Sequence, residues 1–340
     1  MTSVFKIAAV ASVLVVASVA TAQTATGAGA SFPAPVYFKW AEAYKAATGK
    51  AINYQSIGSS GGIKQIKRQT VDFGATDSPM KGDEVEKNRM IQFPAIIGGV
   101  VAIYNVPGLP SGQLKLSGDV LAQLFLGEIT AWNDPKIATL NPGVALPNEK
   151  ITISHRADGS GTTATFTEYL SEVSPSWKDK VGAGKAVKWP AAASVGGKGN
   201  AGVAANVQKI KYSIGYVEYA YAKVNKLPVA LLQNREGKFV APSAENFAAA
   251  AAGADWSAAK GMALSLNNQP GANSWPITTA TFILMYQNPA DAERSKEVMN
   301  FFKWAWTDAG DKIADELDYV AMPDSATDYI QSKVWTQVKN

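Results

Sequence analysis

The sequence predicts an α/β protein of two lobes, with a chain that crosses between them twice. Helical and strand-like patterns alternate over the first 80 residues, the order that builds a sheet flanked by helices. The chain has 340 residues, enough for two domains at roughly 150 residues each. Two long apolar runs, FPAIIGGVVAIYNV at 93–106 and WPITTATFILMY at 275–286, are placed as strands that leave one lobe and return to it. They assign residues 23–97 and 272–340 to lobe 1 and residues 98–271 to lobe 2.

The first 22 residues form an expected signal peptide. Lys6 is their only charge, residues 7–20 are almost wholly apolar, and Ala20-Thr21-Ala22 has the small residues a signal peptidase reads. Cleavage falls before Gln23. The apolar run is short of the roughly 20 residues that span a bilayer, and no later segment is long and apolar enough to span one, so a soluble exported product is expected.

Each following element has its own signal. Val36, Trp40, Ala43 and Tyr44 recur at helical spacing over 35–47, and Gly49 stops that helix. AINYQSI at 51–57 reads as a strand, a helix follows GSSGG at 58–62, and VDFGA at 71–75 is a short strand into Thr76-Asp77-Ser78-Pro79. Ser117 is placed to cap the next helix. Residues 150–156 read as a strand, and DGSGTT at 158–163 leads into a helix over 164–172. SVGGKGNAG at 194–202 reads as a glycine-rich loop, 213–221 as strand-like, and 229–240 as a hairpin around Glu236-Gly237. Helices are expected over 243–252, 290–309 and 324–338.

Composition excludes several function classes. The chain has no cysteine and one histidine, which removes disulfides, thiolate or multi-histidine metal sites and a cysteine nucleophile. The formal net charge is +4, and one of those cations, Lys6, lies in the leader. A weakly basic chain with scattered lysines makes no case for nucleic acid. The tryptophans do not interleave with a basic stripe, so they read as packing residues. His155 is given a structural role, because alternation along a strand turns it away from Arg156.

Three segments share one design: Gly29-Ala30-Ser31-Phe32, Gly58-Ser59-Ser60-Gly61-Gly62 and Gly159-Ser160-Gly161-Thr162. Each sets glycines and hydroxyls ahead of a helix, whose first N–H groups lack internal partners and carry the positive end of the dipole. Such a start attracts an anion, although serine also caps ordinary helices. Arg156 ends the strand beside the third segment. It is either a guanidinium fork for two oxygens of an oxyanion or a surface arginine paired with Asp158. Asp77 is either a turn-stabilising residue ahead of Ser78-Pro79 or a selectivity device. In the second case a carboxylate beside an anion helps only if that anion carries a proton, as phosphate does near neutral pH and sulfate does not.

The same segments carry a resemblance over essentially all of the mature chain. GAGASFPAPVYFKWAEAY at 27–44, YQSIGSSGGIKQI at 54–66, VDFGATDSPM at 71–80, RADGSGTTATFTEYL at 156–170, GGKGNAGVAANVQ at 196–208, IGYVEYAYAK at 214–223 and WPITTATFIL at 275–284 resemble the periplasmic phosphate-binding proteins of bacterial high-affinity phosphate ABC importers. That resemblance implies a type II-like two-lobe periplasmic binding protein fold with the ligand cleft between the lobes. It implies inorganic phosphate as ligand and inner-membrane ABC permease subunits as partner, with periplasmic location, a monomeric state, no cofactor and no metal. It also implies a dehydrated phosphate site. Ser31, Phe32 and Ser59 contribute donors, Asp77 accepts the ligand proton, Arg156 makes the charge-paired contact steadied by a neighbouring carboxylate, and Ser160, Gly161 and Thr162 complete the cage. Ser31 departs from the threonine frequent in that family and keeps the hydroxyl. Binding without catalysis is therefore the expected function. The alternatives are an exported phosphatase-like protein and a binder of another oxyanion such as sulfate.

Overall fold

A computed structural model describes residues 24–339; the expected leader and its cleavage point lie outside them. The elements run β1 (Ala25–Gly29), α1 (Ala34–Thr48), β2 (Ile52–Ser56), α2 (Ser59–Lys67), β3 (Phe73–Thr76), α3 (Gly82–Lys87), β4 (Met90–Asn105), β5 (Lys115–Leu116), α4 (Gly118–Leu126) and α5 (Pro135–Leu140). They continue β6 (Thr152–Arg156), α6 (Gly161–Val173), α7 (Pro175–Lys180), β7 (Ser194–Gly197), α8 (Gly199–Lys209), β8 (Ser213–Glu218), α9 (Tyr219–Val224), β9 (Leu231–Gln233), β10 (Phe239–Val240) and α10 (Ala244–Ala251). The chain closes with β11 (Thr278–Tyr286), α11 (Ala292–Ala305), α12 (Asp308–Glu316) and α13 (Asp324–Tyr329).

Eight strands share one sheet in the order β2-β1-β3-β11-β4-β8-β6-β7. The long strand β4 joins its two halves. Residues 90–99 pair antiparallel with β11, and residues 100–105 pair antiparallel with β8. β1, β2 and β3 are parallel to one another in one half, as are β6, β7 and β8 in the other. β5, β9 and β10 form a separate three-stranded sheet, with β9 and β10 as the expected hairpin.

Gly98-Gly99 does not break β4. A Cβ on Gly99 would lie 2.1 Å from the Phe247 ring, so the glycine admits that ring against the strand. On one half of the sheet, Tyr37, Tyr54, Phe73, Phe93, Phe302, Trp306 and Trp335 form a continuous run of edge-to-face and stacked aromatic pairs. On the other half, Phe166 stacks on Tyr216 with ring centroids 4.2 Å apart, and Phe125 meets both. Such pairs add about 0.5–1.5 kcal/mol each beyond area burial. Trp40, Trp132, Trp177 and Trp275 are fully buried, which fits the packing role expected of the tryptophans.

Local chemistry sets several ends. Gly49 takes the left-handed conformation (φ 76°) and closes α1. Ser117 caps α4 through its hydroxyl, which accepts from Val120 N–H. The sequence reading needs correction elsewhere. The expected glycine-rich loop at 194–202 is strand β7 followed directly by the start of α8, because its small residues allow close packing: a Cβ on Gly197 would sit 2.4 Å from the Gly202 backbone. The helix expected over 324–338 is α13 followed by a π-turn and a 3₁₀ turn, which accounts for its imperfect periodicity.

Candidate functional site

The carboxyl ends of β1, β2 and β3 face the same region as the carboxyl ends of β6 and β7. There the chain turns into α1, α2, α6 and α8. Ligands in open α/β sheets bind at such ends, where helix starts converge. α2 and α6 begin inside the Gly-Ser motifs rather than after them, so Ser59 and Gly161 are first-turn residues.

Three of the expected residues meet directly, Ser59 and Asp77 from one half of the sheet and Gly161 from the other. Ser59 Oγ accepts from Asp77 N–H at 3.2 Å and from Gly161 N–H at 3.0 Å, and Ser60 N–H donates to Gly159 C=O at 3.0 Å. A Cβ on Gly161 would lie 2.5 Å from Ser59 Oγ and 2.7 Å from Asp77 Cβ, so only glycine permits this approach. Ser160 is the N-cap of α6, and its hydroxyl accepts from Thr163 N–H at 3.0 Å. Its own N–H goes to Lys185 C=O at 2.8 Å.

Arg156 is 4% exposed, so the reading as a surface arginine is set aside. Its pairing with Asp158 is nonetheless present and bidentate, with Nε at 2.8 Å from Oδ1 and Nη2 at 2.6 Å from Oδ2. Asp158 is itself held by Gly199 N–H at 3.0 Å. Burial raises the Asp158 pKa, but the Arg156 hydrogen bonds and charge outweigh it and leave the carboxyl below its usual range. The remaining Arg156 nitrogen, Nη1, faces Thr162 Oγ1 at 3.4 Å. The fork is thus clamped on one edge and directed into the site on the other.

Asp77 does not serve the turn. Thr76 does: its hydroxyl donates to Ser78 C=O and accepts from Ser78 N–H. The Asp77 carboxylate is 2% exposed, accepts from Thr281 Oγ1 at 2.7 Å and lies 3.5 Å from Ser59 Oγ. Burial pushes its pKa up to about 7, against the opposing pull of Thr281, Arg156, Ser59 and Lys185. This carboxyl therefore titrates near neutrality.

Ser31 and Phe32 approach from β1. Ser31 Oγ accepts from Asn200 N–H at 3.1 Å and Asn200 Nδ2 at 2.9 Å, while Ser31 C=O accepts from Tyr221 Oη at 2.6 Å. Phe32 C=O accepts from Tyr319 Oη at 2.7 Å. Among the described residues, the Phe32 and Thr162 N–H groups meet no protein acceptor. All eight expected residues therefore lie around one region.

Sequence reasoning missed Asn200, Thr281 and Tyr319. Asn200 is fully buried and links Ser31, Thr162 and Glu218 N–H. It lies in the very segment read as a loop, and an asparagine at a helix start was the available signal. Thr281 faces Asp77 only because β11 returns beside β3, which no local pattern reveals. His155 takes the structural place expected of it, stacked on Trp189 at 5.0 Å. Beside the site, a groove of about 650 Å³ is lined by Lys64, Lys67, Arg68, Lys81 and Lys185 together with Glu84.

Comparison with known proteins matches this architecture. Residues 15–309 match the model of a PBP superfamily domain. The phosphate-binding protein PstS of Pasteurella multocida is 56% identical over 319 residues, covering 94% of this chain and 92% of the relative. That of Haemophilus influenzae is 52% identical over 320 residues, covering 94% and 95%. A Clostridium perfringens structure described as a putative phosphate ABC transporter substrate-binding protein with bound phosphate superposes with a TM-score of 0.65 at 18% identity, covering 88% of this chain and all of that one, and so shares the fold. A matched domain over most of its length and relatives above half identity place the chain in the PstS family of the PBP superfamily.

Proposed function

We propose that this protein binds inorganic phosphate between two lobes in the periplasm and delivers it to the permease of an ABC importer. The observation that carries the reading is one buried carboxylate, Asp77, set among donors otherwise suited to an anion. Arg156, Ser31, Ser59, Thr162 and the N–H groups of Phe32 and Thr162 supply positive charge and hydrogen bonds, with Ser160 fixing the α6 start and Gly161 bringing it against Ser59. Asp77 accepts the proton that phosphate retains, and this rejects an oxyanion without one.

The lobes in this reading are residues 23–97 with 272–340, and 98–271, joined through β4 and the return to β11. Phosphate bridges them and favours the closed arrangement, which presents the surface a permease recognises. Fixed donors replace the ligand's lost hydration without reorganisation.

Turnover is not part of the reading. Ser59 Oγ already accepts two N–H groups, and the His155 ring is held between Trp189 and Arg156 C=O rather than beside a serine. A nucleophile requires an activating base at its hydroxyl. The test is calorimetric titration of the mature chain with phosphate and with sulfate. Saturable binding of phosphate that excess sulfate does not displace is expected; equal displacement by sulfate would sink the assignment.

A further inference from the structure

Among the described residues, Phe32 C=O has one hydrogen-bond donor, the hydroxyl of Tyr319, at 2.7 Å. The same hydroxyl lies 2.7 Å from Glu218 Oε2. A tyrosine hydroxyl has a single proton, and a backbone carbonyl has none to offer. If that proton goes to Glu218, two bare oxygens face each other at Phe32 in a site where all three residues are fully buried. Both contacts are satisfied only when Glu218 carries a proton, donates it to Tyr319, and lets Tyr319 donate to Phe32. The second carboxyl oxygen fits this assignment, since Oε1 only accepts, from Ala220 N–H at 2.9 Å.

We infer that Glu218 is a protonated positioning residue, which holds the Phe32 C=O through Tyr319 and so orients Phe32, whose N–H faces the anion site. The inference rests on the phosphate reading for Phe32. The relay spans the junction of the sheet halves. Glu218 ends β8 opposite Val100 of β4, Phe32 follows β1, and Tyr319 precedes the Val320 bridge to Ile97. The Phe32 and Tyr319 rings both lie over Gly98, where a Cβ would come within 3.0 Å and 3.2 Å of them.

The surroundings agree. Burial pushes the Glu218 pKa up to about 8, against the N–H groups of Ala220 and Tyr221 and the Tyr319 hydroxyl, and the Asp77 charge adds to the rise. The titratable groups that face Glu218 are Tyr319, Tyr221 and Asp77, none of them a cation. Among the described residues, no lysine, arginine or histidine forms an ion pair with it. Losing the proton turns Tyr319 toward the carboxylate and leaves the Phe32 C=O without its donor, so the phosphate site loosens on that side as pH rises through about 8.

Two measurements decide this. Infrared difference spectra of protein labelled with ¹³C-glutamate compare wild type with Glu218→Gln at neutral pH. A carboxylic acid C=O band present only in the wild type is expected, and its absence overturns the proposal. Because this band is read without phosphate, it is independent of the binding assignment. The second measurement is phosphate affinity against pH for wild type, Glu218→Gln and Glu218→Ala. Glutamine keeps the donor at every pH, and the titrations of Asp77 and phosphate cancel in the ratio of dissociation constants. Wild type should lose ground to Glu218→Gln by up to about tenfold per pH unit above 8. Glu218→Ala should be weaker than Glu218→Gln throughout. A ratio that does not change with pH overturns the role.

Discussion

In the proposed site, selectivity rests on one side chain, Asp77. Its carboxyl titrates near pH 7 because it is buried and only partly compensated by Thr281, Arg156 and Ser59. Below that pH it carries a proton and can donate to a bare oxygen. Above it, it is a carboxylate that only accepts. Selectivity for phosphate over sulfate is therefore expected to increase as pH rises through about 7, measured by competition calorimetry on both sides of that value. Asp77→Asn keeps a donor at all pH values and should flatten that dependence. Arg156→Lys removes the bidentate clamp to Asp158 and leaves a point charge on a flexible stem. At least a tenfold loss of phosphate affinity is expected, equivalent to about 1.4 kcal/mol.

At the scale of elements, the start of α6 does two jobs with adjacent residues. Ser160 satisfies Thr163 N–H as the cap, so Ser160→Ala should cost about 1 kcal/mol and lower the melting temperature. Gly161 instead lets the helix start come against Ser59 and Asp77. Gly161→Ala should lower phosphate affinity, because a Cβ 2.5 Å from Ser59 Oγ and 2.7 Å from Asp77 Cβ forces the two helix starts apart. An unchanged affinity would show that the two helix starts do not need to meet. Element identity was largely legible: α1 with its Gly49 stop, α4 with its Ser117 cap and the long β4 all follow from local pattern. The segment 194–202 was not, because glycines chosen for close packing look locally like glycines chosen for a flexible loop.

At the scale of the whole molecule, two buried carboxyls tie stability to pH. Asp77 rises from 3.8 to about 7 and Glu218 from 4.5 to about 8. A carboxyl whose folded pKa is raised binds its proton more tightly in the native state. The corresponding stability is fully present below the unfolded values and is lost as pH climbs through the folded ones. The ligand-free protein should therefore melt at progressively lower temperature between about pH 4 and pH 8, and a variant combining Asp77→Asn with Glu218→Gln should show a shallower decline. The basic groove beside the site acts at long range. Lys64, Lys67, Arg68, Lys81 and Lys185 give it an excess of positive charge, so phosphate association is expected to slow with added salt in stopped-flow measurements.

The sequence by itself determined the alternation of helices and strands, the length of the crossover strand, and the helix starts that hold Ser31, Ser59 and Ser160. These depend on contacts within a few residues, such as capping hydroxyls, apolar spacing and glycine stops. Only the tertiary structure set aside the turn role of Asp77 and the surface role of Arg156, by burying both side chains. The competing turn and surface roles are local, whereas what excludes them, Thr281 on the returning strand beside Asp77 and the burial of the Arg156 guanidinium, comes only through folding. Asn200, Tyr319 and Glu218 belong to the same class: each contact spans a distance along the chain that no local pattern records, and burial of the whole assembly gives each its chemical weight.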